Sequence, residues 1–377
     1  MSTMRHEQGP ESLVFVLSTL NVGGSETKTV RLANTLADMG IRVTIAYLNG
    51  PESLLSRIDP RVRSVHLERK GKFSLPALLR LAATLRDCRA ETVVAVNLYC
   101  MLYAVLARLL LVRRGLRVLA TVNTTEFATR KEERQLLLYR HLLKLVDGIV
   151  FGARCQAKLW SDRYGIGRKP GTVFVLHNGV DTNHFQPGHQ EQGGFPIPAV
   201  KHLIGTVGQL RIEKAHVHLL QAVAALRSEG MDVGALLIGD GSQRHVIEGE
   251  IERLGIGRYV YLIGEISDVR PYLASMEVFV LCSTAVETFS NAVLEAMSMG
   301  CPIVSSRIGG MEEMLEFGGG AVFAPGDVKA LTQLLHELLN EPKRRKQLGD
   351  DARNAVVEHF SWERMVEKFL RLSAKQA

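Results

Sequence analysis

The chain has 377 residues, of which 46% are hydrophobic, 23% charged and 6% aromatic. At roughly 100–200 residues per domain that length calls for two or three domains, and the apolar fraction excludes a disordered chain. The net charge of +7 is unevenly divided: residues 1–190 carry 27 Lys+Arg against 15 Asp+Glu, and the remainder carries 19 against 24.

The first predicted element is a strand over 13–20 (LVFVLSTL). It is followed by the turn NVGGSE (21–26), a helix over Thr27–Met39 closed by Gly40, and a second strand over 41–48. Further strands are predicted over 92–97, 116–123, 147–152 and 172–178. A stretch rich in Gly, Pro and Gln, Asp181–Val200, then interrupts the pattern. Beyond it the layout restarts with a strand over 202–210, the loop RIEKAHV, a helix around Leu219–Arg227 closed by Gly230, and a strand within MDVGALLIGDG. Strands over 260–264, 278–282, 302–306 and 321–324 follow, and the tail 327–377 reads as amphipathic helix with a basic cluster at Lys343–Lys346. Continuous β-branched runs suit strands buried on both faces, as in parallel sheets, and Gly just past a helix suits its C-terminus. Two such strand–loop–helix–strand units argue for an α/β chain of two doubly wound domains.

The cysteines Cys88, Cys100, Cys155, Cys282 and Cys301 form no C-x-x-C pair and have no His at metal-ligand spacing. They read as reduced thiols rather than disulfides or a structural zinc site. The longest uncharged run, Thr92–Ala107, is 16 residues and falls short of the roughly 20 that span a membrane. MSTMRHEQGPES lacks the apolar core of a signal peptide. A cytoplasmic, soluble chain is expected.

Three constellations could carry chemistry. In ETFSNAVLEAMSMGCPIV (287–304) Ser290 is a good N-cap, Gly300 a good helix stop, and Pro302 prevents continuation. Glu287 then lies in the loop before a helix, while Asn291 and Glu295 share one of its faces. A loop of small residues feeding a helix N-terminus offers N–H groups and a positive dipole end to an anion. Flanking carboxylates can accept hydrogen bonds from sugar hydroxyls. In GQLRIEKAH (208–216) Arg211 and Lys214 can converge on a diphosphate, with Arg suited to bidentate contact and Lys acting as a point charge. In NVGGSE, Gly23 and Gly24 let backbone approach a ligand closely, although the GxGxxG spacing of a dinucleotide site is missing.

In their order and separations these motifs resemble the retaining, nucleotide-sugar-dependent glycosyltransferases of family four, built on the GT-B architecture of two Rossmann-like domains facing across a cleft. The resemblance runs from Leu13 to about Phe369. It takes in GGSE (23–26), VLHNGVDTNHF (175–185), the Lys loop, the E-x7-E block, Gly309-Gly310 and the closing HFSWERMVEKFLRL (359–372). It implies an acceptor-binding domain over 1–185, joined by a terminal helix over 360–377, and a donor-binding domain over 186–359.

The resemblance also implies roles. Glu295 would hold ribose hydroxyls, and Glu287 would contact the donor sugar. The backbone of Phe289, Ser290 and Asn291 would lie near sugar and phosphates. Lys214 would pair with the diphosphate, Gly23 and Gly24 would close on it, and backbone around Gly264 would grip the base. Lys214, Glu287 and Arg211 are the catalytic candidates. Two positions depart from the family: Gln209 stands where Arg is usual, so Arg211 is expected to supply that charge. Asn123 stands where a His commonly faces the acceptor, with Glu126 nearby as a substitute base. His177, where the family often has Pro, is expected to be structural. No D-x-D occurs, so neither a metal nor a separate cofactor is implied. The nucleoside-diphosphate sugar, with UDP preferred, is a co-substrate. The acceptor is expected to be a saccharide or lipid-linked, in envelope polysaccharide synthesis. The basic half, through Arg108, Arg113, Arg114 and Arg117, is expected to touch the inner face of the membrane rather than nucleic acid. A nucleotide-sugar epimerase of the same fold and a non-catalytic GT-B binding protein are the alternatives.

Overall fold

The computed structural model describes residues 9–112, 115–123, 136, 139–167, 171–188, 197–285 and 287–374. The chain divides into two compact units, Met1–Leu176 with Val366–Ala377, and His177–Met365. The first holds seven strands: β1 (Ser12–Leu17), β2 (Arg42–Tyr47), β3 (Arg63–His66), β4 (Thr92–Val96), β5 (Arg117–Val122), β6 (Gly148–Phe151) and β7 (Val173–Val175). They pair in parallel in the order β3-β2-β1-β4-β5-β6-β7. The second holds β8 (His202–Val207), β9 (Val233–Ile238), β10 (Val260–Gly264), β11 (Val278–Leu281), β12 (Ile303–Ser306) and β13 (Gly320–Phe323). Their order is β10-β9-β8-β11-β12-β13, again parallel.

Every residue of β1, β4, β9 and β11 is buried, as strands covered by helices on both faces must be. The predicted strands are all present. The short β3 was not predicted because its RSVH is mostly exposed at a sheet edge and has no apolar run. The first helix runs Gly24–Asp38, three residues earlier than expected, because Gly23 serves as its extended N-cap.

The units divide after Leu176, nine residues before the expected boundary, and again after Met365. The polar segment 177–185 looks like a linker in composition, but hydrogen bonds tie it to the second unit. Arg353 donates to the carbonyls of Thr182 and Phe185, each at 2.9 Å, and the Ser298 hydroxyl donates to the Phe185 carbonyl at 2.6 Å. Val180 pairs with the chain around Ser361: its N–H donates to the Phe360 carbonyl at 3.0 Å, and Trp362 N–H returns to Val180 at 2.8 Å.

The final helix, Trp362–Ser373, starts in the second unit and finishes in the first. There the Phe369 ring stacks on Phe15 with centroids 5.9 Å apart, and the Thr92 hydroxyl donates to the Ser373 carbonyl at 2.8 Å. Phe369 and Phe15 are both buried. Replacing Phe369 by Ala should cost about 3–5 kcal/mol of the first unit's stability. Urea unfolding should show an early transition for that unit while the second unit keeps its midpoint; an unmoved first transition would place the helix outside its core.

Candidate active site

In each sheet the chain reverses direction beside its first strand, between β1 and β4 and between β8 and β11. Loops leaving the carboxyl ends of such neighbours diverge and open a crevice, where open α/β sheets bind ligands. In the second unit these are the loop 208–215 after β8 and the loop 282–290 after β11. Lys214 and Glu287, 73 residues apart in sequence, are brought together there.

Glu287 is only 8% exposed. A carboxylate withdrawn from water needs charge and hydrogen-bond partners. Lys214 Nζ lies 2.5 Å from its Oε2, and the buried Ser283 hydroxyl donates to the same oxygen at 3.2 Å. Ser283 is fixed in turn by Ser306, whose hydroxyl donates to its carbonyl at 2.6 Å. Lys214 ends a 3-10 turn, Ile212–Lys214, and Ala215 after it takes φ +46 before the helix His216–Ser228 begins. That left-handed conformation costs a non-glycine residue roughly 1–2 kcal/mol. The Thr284 N–H, donating to the Glu213 carbonyl at 2.8 Å, ties the two loops at this turn. Behind Glu287, Gly309 at φ +55 passes so close that a Cβ would sit 1.9 Å from the Glu287 carbonyl oxygen. The Gly310 N–H donates to the Thr288 carbonyl at 2.7 Å.

The helix Asn291–Ser298 opens beside this pair, and the Ser290 hydroxyl accepts from Val293 N–H as its N-cap. Asn291 is exposed and Glu295 half-buried, one turn apart. The Phe289 ring is buried, which leaves its backbone rather than its side chain for any ligand. Gly264 closes β10 at φ +84, and its carbonyl accepts from Gly239 N–H at 2.8 Å. Gln209 is exposed.

Arg211 and Lys214 do not converge. Arg211 lies 3.8 Å from Glu213 and lines a groove of about 320 Å³ with His216, His218, Gln243 and Thr284, whereas Lys214 turns to Glu287. A three-residue separation across a tight 3-10 turn sends the two side chains to different carboxylates. Burial, and then the charge of Lys214, push the His216 imidazole down to about 4, so it is neutral at physiological pH.

In the first unit, Gly23 caps its helix and Gly24 opens it. The Glu26 carboxylate folds back to within 2.5 Å of where a Cβ on Gly23 would be, and accepts from the Ser25 hydroxyl at 2.8 Å. Asn123 is exposed just past β5; Glu126 lies outside the described residues. Asn97, at φ +84 after β4, carries no motif that would single it out in sequence. Its side-chain oxygen accepts from Tyr99 and Cys100 N–H at 3.1 Å, and its amide donates to Ser18 at 3.1 Å, joining the two loops of this unit's reversal.

Of the basic candidates, Arg108 is paired with Asp147 at 2.6 Å and Arg117 is partly buried. Arg113 and Arg114 lie outside the described residues. A different surface emerges instead, where Phe73, Leu75 and Leu79 are 49%, 56% and 53% exposed. Between residues 69 and 86 the sequence has five basic residues and no acidic one. Among the described residues no cluster of His, Cys, Asp and Glu suits a metal ion, and no helix is long and apolar enough to cross a membrane. The five cysteines are free thiols; burial pushes Cys100, Cys282 and Cys301 up to about 12.

Comparison with known proteins gives the same outline. Residues 22–184 match the model for Glycosyltransferase Family 4, and residues 190–355 match that for Glycosyl transferases group 1. The MMP alpha-(1->4)-mannosyltransferase of Mycolicibacterium hassiacum is 36% identical over 199 residues, 52% of this chain and 46% of that protein. The N-acetyl-alpha-D-glucosaminyl L-malate synthase of Bacillus anthracis is 22% identical over 360 residues, 93% of each chain. The chain thus spans about half the length of the first and nearly all of the second. Anabaena HepE, solved in complex with UDP, superposes with a TM-score of 0.81 at 17% identity, covering 95% of this chain and 98% of its own. With both halves matched and both sheets wound as in these structures, the chain belongs to glycosyltransferase family four and has the GT-B fold.

Proposed function

We propose that this protein transfers a sugar from a nucleoside diphosphate sugar to a hydroxyl acceptor, with retention and without a catalytic metal. The observation that carries the reading is the Lys214–Glu287 pair at the β8–β11 reversal, beside a capped helix N-terminus. The diphosphate would draw Lys214 to itself, and Glu287, released from that cation, would accept hydrogen bonds from the donor sugar. Glu295 would take the ribose hydroxyls. UDP is the preferred nucleotide, because HepE was solved with it.

In the reaction the bond from the anomeric carbon to the diphosphate oxygen breaks, and its electron pair leaves with the diphosphate. The acceptor oxygen bonds to the same face of that carbon, and its proton passes to a phosphate oxygen. Negative charge grows on the diphosphate, so Lys214 stabilises the transition state more than the ground state. Asn123 can hydrogen-bond an acceptor but cannot carry its proton, so the leaving phosphate is the base.

We place the protein in the cytoplasm, building envelope polysaccharide or a lipid-linked oligosaccharide, with the first unit touching the membrane. Relatives named for such work include the lipopolysaccharide core glycosyltransferase LpsE of Rhizobium meliloti. The contact surface is Phe73, Leu75 and Leu79 with Lys70 and Lys72. It combines exposed apolar area with uncompensated positive charge.

Four outcomes are expected. Lys214→Ala should lower kcat by about 100–1,000-fold and weaken donor binding less, as for other lost electrostatic contacts in transfer reactions. The wild type should stay active in excess chelator and give a product with the donor's anomeric configuration, read from its anomeric proton coupling. Epimerised donor, or donor binding without turnover, would overturn the reading in favour of the epimerase or the binding protein. Glu295→Gln should cost roughly 1.5–3 kcal/mol of donor affinity by calorimetry, the worth of a charged hydrogen bond. Sedimentation with phosphatidylglycerol vesicles should exceed that with phosphatidylcholine, fall with salt, and be lost on Leu75→Ser with Leu79→Ser or on Lys70→Glu with Lys72→Glu; roughly 1 kcal/mol per basic residue is at stake. Equal recovery with both vesicles would remove the membrane from the proposal.

A further inference from the structure

His177, the first residue of the second unit, packs against the loop that carries Glu287. Its ring lies on that of Phe289, with centroids 4.6 Å apart and planes 17° from parallel. Its Nε2 is 3.1 Å from Glu313 Oε2, and both side chains are largely buried. Phe360 meets both rings edge-on, 5.3 Å from Phe289 and 5.7 Å from His177. The neighbouring Asn178 donates its amide to the Phe289 carbonyl at 2.8 Å.

Phe289 stands between Glu287 and the helix cap Ser290. Glu313 stands on the short helix Met311–Met314, which follows the two glycines packed behind Glu287 and Thr288. Each residue of the loop 287–290 is therefore held by a different part of the unit. Lys214 and Ser283 hold the Glu287 carboxylate, Gly310 the Thr288 carbonyl, and His177, Phe360 and Asn178 hold Phe289, while Ser290 caps its helix. The imidazole links Phe289 to the Glu313 helix, by stacking on one side and a hydrogen bond on the other.

We propose that His177 is a positioning residue for the reaction: through Phe289 and Glu313 it sets the place of Glu287 and of the helix start against the donor sugar. This rests on the glycosyltransferase reading above. If Lys214 leaves Glu287 for a diphosphate, the carboxylate loses its strongest restraint, and Glu287 is then held by the Ser283 hydrogen bond and by the grip on Phe289 two residues on. A misplacement of about 1 Å in a reacting arrangement can cost on the order of 100-fold in rate.

The test compares three variants of the full chain. His177→Ala removes both contacts, His177→Phe keeps the stack and removes the hydrogen bond to Glu313, and His177→Gln keeps a hydrogen-bonding group and loses the stack. At matched folded fraction, kcat should fall about 10–100-fold in His177→Ala with the donor KM changed less than threefold, and the Phe and Gln variants should each recover part of the loss. Amide exchange across 287–290 should speed up in His177→Ala while exchange in the β8–β9 core stays as in the wild type. A kcat per folded molecule equal to the wild type, with activity lost only in step with Tm, would overturn the proposal. Should the wild type prove inactive with every donor, the function reading falls, and the exchange measurement still decides whether His177 holds the loop: unchanged protection at 287–290 would reject that too.

Discussion

The second unit is organised around one buried negative charge. A carboxylate nine-tenths out of water is tolerable only with a cation and hydrogen bonds in place, and breaking such a pair commonly costs several kcal/mol. Glu287 meets that demand by drawing Lys214 across from the β8 loop and Ser283 from its own. Much of the local backbone serves the same charge. Ala215 accepts a left-handed conformation where the Lys214 turn enters its helix, and Gly309 leaves room for the Glu287 carbonyl that no side chain could leave. The pair is also in the right state to respond to an anion. In the proposed reaction a diphosphate would compete with Glu287 for the same ammonium, so its arrival would redistribute charge within the site rather than add to it.

How much of this was legible in the sequence depends on range. Local features were: Ser290 sits three residues before the N–H it caps, and the buried strands announce themselves as β-branched runs. Lys214 and Glu287 were each marked by a strand-to-helix loop, but their contact follows from the strand order, which places β8 beside β11. Three residues in a loop do not fix direction: the 3-10 turn between Arg211 and Lys214 does, and it sets one side chain by Glu213 and the other by Glu287. That His177, Phe289, Glu313 and Phe360 meet had no signal in the sequence. They lie in four segments, each unremarkable alone, and only the folded chain stacks them.

The same contrast holds for surface charge. A surplus of +12 in residues 1–190 says that a basic face exists, not where. Arg108 is neutralised by Asp147, a residue 39 positions away, and Arg117 is drawn partly inside. Among the described residues, Lys70 and Lys72 are exposed on the loop before the helix Leu75–Asp87, next to the uncovered apolar side chains Phe73, Leu75 and Leu79. That helix begins at the carboxyl end of the first sheet, the end at which Ser18 and Asn97 meet. A surface there would serve an acceptor delivered from a bilayer.

The route of the chain has a further consequence, for the order in which it is made. The first sheet leaves the ribosome early, yet Phe15 and Thr92 obtain their last partners from Phe369 and Ser373. At about 5–20 residues per second those partners emerge roughly 10–40 s after β7. Through that interval the older half waits without Phe369 and Ser373, while the second unit, whose last residue is Met365, is already fully synthesised. Translation and completion therefore run in opposite directions: the half that is begun first is finished last. Removing Val366–Ala377 would leave every residue of the second unit in place and take from the first its partners for Phe15 and Thr92.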